Sequence, residues 1–73
     1  MRLDQLIARG RIRNYLEHVF GGVRMNIEAI GGTPVTEFRR LATNQTYIAA
    51  DVEIDSVRDP LWIAKAIQAR WEA

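Results

Sequence analysis

The chain contains no cysteine, which removes disulfides, thiolate nucleophiles and thiolate zinc sites together. It has a single histidine, His18, a single serine, Ser56, and a single lysine, Lys65. That leaves little material for a histidine-activated nucleophile or a lysine-rich phosphate grip. No apolar stretch approaches the roughly 18–20 residues of a membrane span. The N-terminal segment carries charges at Arg2, Asp4, Arg9, Arg11 and Arg13, so it lacks the apolar core of a secretory signal. The expectation is a cytoplasmic protein with no membrane contact and no cofactor. The formal charge is only +1, too small to act as a bulk field for nucleic acid.

What is present is ordinary for a globular domain: 73 residues, 48% apolar and 26% charged. One domain spanning residues 1–73 is expected. A chain of this length buries only roughly 60–65% of its unfolded surface, so its core is small. Pairing with a second copy or a partner is the available route to further burial, and a homodimer is open.

Residues 3 to 20 carry a helical pattern. Ile12, Tyr15, Leu16, Val19 and Phe20 share one face at 100° per residue. Leu3, Leu6 and Ile7 fall on roughly the opposite face of a straight helix, with Gly10 between the two sets. Either the helix bends or breaks at Gly10, making residues 1–9 a separate arm or first helical segment, or the first turns show their leucines to something other than the core. Gly21-Gly22 is the stop. Val23 to Ile30 alternates as a half-buried strand, and Gly31-Gly32 fits a two-residue hairpin turn with positive φ. In the return strand, Thr33 to Leu41, Val35 and Phe38 have opposite parity, which predicts a bulge or twist. Pro34, lacking an N–H, argues for an outer position or a strand start. Thr46 to Ile54 reads as a third strand with Ile48, Ala50, Val52 and Ile54 inward. Asp59-Pro60 then opens a helix over 60–72, whose core face is Ile63, Ala64, Ile67 and Trp71. The expected fold is α+β, in the order αβββα, with two helices on one face of a three-stranded antiparallel sheet.

That order is also the order of double-stranded-RNA-binding domains, but the resemblance ends there. Such domains begin their last helix with a lysine cluster, whereas this one begins Pro60-Leu61-Trp62-Ile63-Ala64-Lys65.

Three sets of residues could carry function. The acidic set is Asp51, Glu53 and Asp55, whose alternation on a strand would put three carboxylates on one face. The bland account is a solvated row answering Arg39 or Arg40, and no metal site is expected. The basic set is Arg9, Arg11, Arg13 and Arg24. Residues 1–24 carry a net +3 against −2 for the remainder, and these arginines are the candidates for nucleic-acid contact. The apolar set is the surplus: Trp62, Ala66 and Ala69 flank the core face of the last helix, and Leu3, Leu6 and Ile7 form a second orphan stripe. Either the two stripes meet within the chain, or one or both dock on a partner. The sequence therefore points to a small non-enzymatic module that docks on a protein through Trp62, Ala66, Ala69, Leu3, Leu6 and Ile7. Its size suits an adaptor, an inhibitor or a viral or mobile-element accessory protein. Nucleic-acid binding through the arginines is the alternative.

Overall fold

The computed structural model describes residues 2–73; Met1, the first residue of the arm considered above, lies outside them. Helix α1 runs from Leu3 to Phe20 without interruption at Gly10. A Cβ at Gly10 would meet open space, so this glycine brings only its weak helix propensity and no break. At the start of α1, the Gln5 side-chain oxygen accepts the Arg2 N–H at 2.8 Å. At its end, Gly21 adopts φ +80° and donates its N–H to the Glu17 carbonyl at 2.9 Å.

Three strands follow, β1 (Val23–Ile30), β2 (Thr33–Arg40) and β3 (Gln45–Ala50), in spatial order β1-β2-β3 and antiparallel throughout. Gly31 and Gly32 turn the first hairpin with φ of +58° and +82°, the paired positive values that a type I′ turn needs. Pairing runs unbroken from Val23↔Arg40 to Ile30↔Thr33, so the expected bulge in β2 is absent. The opposite parity of Val35 and Phe38 has a simpler cause. Phe38 points to the helices, while Val35 is buried on the other face of the sheet, between Glu28 and Ala50 in the register. Pro34 sits at the start of β2, one residue beyond the point where β3 stops pairing, so its missing N–H breaks no ladder bond.

The third strand departs from the sequence reading in extent and in parity. It ends at Ala50, and Asp51–Ser56 form a short helix, α2. Within β3 the sheet faces the core through Tyr47 and Ala49, leaving Ile48 exposed; Val52 is exposed on α2. Only Ile54 of the inward set is fully buried, and it is buried from a helix. Helix α3 (Leu61–Glu72) starts where expected. Pro60 already has helical dihedrals, and Asp59 Oδ1 accepts the Leu61 N–H at 3.0 Å.

All three helices cover one face of the sheet. The core is Ile12 and Leu16 from α1, Val23, Phe38 and Ala49 from the strands, Ile54 from α2, and Ile63, Ala64, Ile67 and Trp71 from α3. The four core positions expected on α3 are those observed. Across the far end of the core, the Phe20 and Trp71 rings meet edge-on at 5.5 Å, and the Arg40 guanidinium lies 4.3 Å over the Phe20 ring. Tyr15 of α1 donates its hydroxyl to Gln68 of α3 at 2.5 Å.

Candidate functional site

The residue that most changes the sequence picture is Arg9. On α1 it lies one turn before Ile12 on the stripe that continues to Leu16, and its side chain is 0% exposed. A guanidinium in that position must be paired, and every nitrogen is. Nε donates to Thr36 Oγ1 of β2 at 3.2 Å. Nη1 donates to the Gln5 carbonyl at 2.8 Å and to Asp55 Oδ1 at 2.9 Å. Nη2 lies 3.2 Å from Asp51 Oδ1 and 3.4 Å from Asp55 Oδ2. Thr36 passes the chain on, donating its own hydroxyl to Asp51 Oδ1 at 2.8 Å, and the Gln5 amide donates to Asp55 Oδ2 at 3.2 Å. Burial alone would lower the Arg9 pKa. The hydrogen bonds and attraction of Asp55 and Asp51 outweigh that, and the value is raised above the ordinary arginine range.

This network reassigns two of the three candidate sets. Asp51, Glu53 and Asp55 do not lie along a strand face. The helical turn of α2 brings Asp51 and Asp55, four residues apart, onto one side against Arg9, and leaves Glu53 exposed. They answer an arginine from α1. Arg39 approaches Glu37 of its own strand at 3.6 Å, and Arg40 packs on Phe20. Among the described residues, no group of three or more metal-ligating side chains comes together.

The basic set is likewise dispersed. Arg9 is buried and cannot reach a phosphate. Arg13 is held by Glu17 at 2.6 Å and by Asn14 at 2.9 Å, and Arg11 lies 4.0 Å from Asp59. Arg24 is exposed on the open face of the sheet, away from the helical side. The four arginines therefore form no single surface. His18 is exposed in the last turn of α1, roughly 14 Å along the axis from Arg9. Ser56 Oγ donates to the Glu53 carbonyl of α2 at 3.0 Å, next to Asp55, which bonds Gln5 at the other end of α1 from His18.

The apolar surplus remains on the surface. Trp62 is 73% exposed and Leu3 72% exposed; Leu6, Ile7, Ala66 and Ala69 are exposed as well. The two stripes do not cover each other. Trp62, Ala66 and Ala69 lie on a flank of α3 turned to solvent, while α1 and α3 meet through their core faces and through the Tyr15–Gln68 hydrogen bond. Beside the indole is a recess of about 150 Å³ lined by Asp59, Leu61, Trp62 and Lys65. A wider cleft of about 250 Å³ lies where α1 meets the α2–α3 connection, with Arg2, Asp4, Asp55 and Arg58 on its walls. No helix among the described residues is long and apolar enough to cross a membrane. Comparison with known proteins found no matching family, no similar curated protein and no similar solved structure.

Proposed function

We propose that the protein is a non-enzymatic cytoplasmic interaction module that docks on a protein partner through the outer face of α3. The observation that carries this reading is Trp62: a large apolar side chain, 73% exposed, on a helix already anchored by four core residues. Tryptophan loses little rotamer entropy when it docks and is enriched where binding energy concentrates. Ala66 and Ala69, one and two turns on, present no bulk, so a partner can approach the helix closely. Lys65 and Asp59 at the recess place one charge of each sign at the rim. The partner surface is therefore apolar at its centre, wide enough to cover an indole, with polar groups around it. Leu3, Leu6 and Ile7 offer a second apolar strip on α1. The small size of the domain suits an adaptor or inhibitor, or an accessory protein of a virus or mobile element, acting through these surfaces.

The test is capture of partners from nuclease-treated host lysate by the parent protein and by Trp62→Ala. The expected outcome is a defined protein retained by the parent, with affinity for the variant weaker by more than about 1 kcal/mol while its circular dichroism is unchanged. Equal retention by the variant discards the α3 face. Retention that disappears with nuclease moves the function to Arg11, Arg13 and Arg24.

A further inference from the structure

A second surface, independent of Trp62, lies along the free edge of β1. The sheet has two edges, and they are treated differently. At β3 the edge is six residues long, its Thr46 carbonyl accepts the Trp71 indole N–H at 3.3 Å, and the chain turns into α2 directly after Ala50. At β1 the edge is eight residues long, VRMNIEAI, with no proline, no lysine and no bulge. Its helix-side residues, Val23, Met25, Ile27 and Ala29, are all apolar. Proline, lysine, a bulge and an inward-facing charge are among the devices that guard sheet edges, and β1 has none of these; its two charges, Arg24 and Glu28, lie on the open face.

The direction of the free backbone groups follows from the hairpin. The two-residue turn makes Ile30 and Thr33 a hydrogen-bonded pair, and alternation then directs the groups of Arg24, Asn26 and Glu28 toward β2. The Leu41 N–H bond to the Gly22 carbonyl, 3.0 Å long, continues that alternation. Val23, Met25, Ile27 and Ala29 consequently aim their N–H and C=O groups outward. Ile27 is 48% exposed and Ala29 is exposed, so α1 does not overhang this part of the edge.

Charge then selects both occupant and register. Arg24 stands directly across from Arg39 on β2, a like-charge pair, and Glu28 stands across from Val35. Neither Arg24 nor Glu28 has an ion-pair partner among the described residues. If β1 pairs antiparallel with β1 of a second copy about a two-fold axis at Asn26, Arg24 of each chain falls opposite Glu28 of the other. The same register sets Met25 opposite Ile27 and Val23 opposite Ala29, joining outward backbone groups to outward backbone groups. Shifting the register by one step in either direction while keeping the backbone match, with Arg24 opposite Asn26 or opposite Ile30, loses both charge pairs. We propose that β1 is the seam of a two-fold homodimer, forming a continuous six-stranded sheet with Arg24 and Glu28 as reciprocal cross-strand ion pairs.

The experiment is sedimentation equilibrium of the parent, R24E, E28R and the double reversal R24E/E28R, with amide hydrogen exchange at low and high protein concentration. The parent is expected to dimerise. Each single reversal makes both ion pairs repulsive and is expected to raise the dimer Kd by about tenfold or more. The double reversal is expected to restore it to within about threefold. Single variants remain folded, since R24E turns the Arg24–Arg39 opposition into an attraction. On dimerisation the Met25 and Ile27 amides gain protection, while Arg24 and Asn26, already bonded to β2, do not. A parent that stays monomeric at about 500 μM overturns the proposal, because even a weak edge-to-edge contact is populated there. So does a dimer insensitive to both single reversals, and so does one lost in Trp62→Ala but kept in R24E, which places the contact on α3.

Discussion

Replacing Arg9 by methionine is the sharpest test of how this small core holds together. Methionine keeps much of the apolar stem in place and removes all five N–H donors. Asp51, Asp55 and the Thr36 hydroxyl then lose their shared partner. Breaking a fully buried ion pair from one side costs roughly 3–5 kcal/mol. The two carboxylate side chains are 14% and 29% exposed, so each recovers some water, and the expected loss falls to about 2–4 kcal/mol. A 73-residue domain has about 4–11 kcal/mol in total, so about a fifth of the stability or more is at stake. With a urea m-value of about 1 kcal/mol/M, the unfolding midpoint by circular dichroism should fall by about 2 M or more. Adding Asp51→Ala and Asp55→Leu to the methionine variant should return most of that loss, since an apolar cluster has no charge to strand. An unfolding free energy for the single variant within about 0.5 kcal/mol of the parent would refute the reasoning. The raised Arg9 pKa also fixes a sign: the stabilisation carried by the charged guanidinium is lost as pH rises through its folded value, which lies above the ordinary arginine range.

Gly10→Ala should stabilise the protein by about 0.5–1 kcal/mol, because the added methyl meets nothing and helix propensity improves; an unchanged or lower melting temperature would count against the continuous α1. Gly31→Ala should cost about 1–2 kcal/mol by urea unfolding, since φ of +58° is strained for an L side chain, while Gly31→Asn should recover a good part of it. Trp62→Ala should leave the unfolding free energy within about 0.5 kcal/mol of the parent, separating the exposed indole from the buried one at Trp71.

The elements legible in the sequence were those with a long period or a sharp punctuation. Alternation gave β1, the glycine pair gave its turn, and Asp59-Pro60 with Ile63, Ala64, Ile67 and Trp71 gave α3 and its buried face. The third strand was misread because Ile48, Ala50, Val52 and Ile54 alternate without interruption, although the backbone changes from strand to helix at Asp51. Six residues of α2 are too few for a 3.6-residue period to declare itself against a period of two. Arg9 was hidden by its charge. Yet the signal was available: the stripe through Ile12 and Leu16, carried back toward the N-terminus, passes through Arg9 and Gln5. The core side of the first turns is polar, which is why the leucines there sit on the opposite side. The site residues Trp62, Ala66 and Ala69 could be placed outside the core from periodicity alone. Whether Leu3, Leu6 and Ile7 met them depended on the angle between helices, which no local pattern encodes.

The clasp around Arg9 also imposes an order of events as the chain forms. The three strands need only neighbouring segments, since each hairpin closes a short loop. Arg9, by contrast, meets Asp51 and Asp55 across more than forty residues of intervening chain. Until β3 is complete and α2 has wound, the only environment offered to the N-terminal half of α1 by the growing core is one in which a guanidinium cannot be buried. The turns of α1 that carry Arg9 are thus expected to dock only after α2 has wound, later than the hairpins form. Variants at Arg9 are accordingly expected to speed unfolding far more than they slow folding.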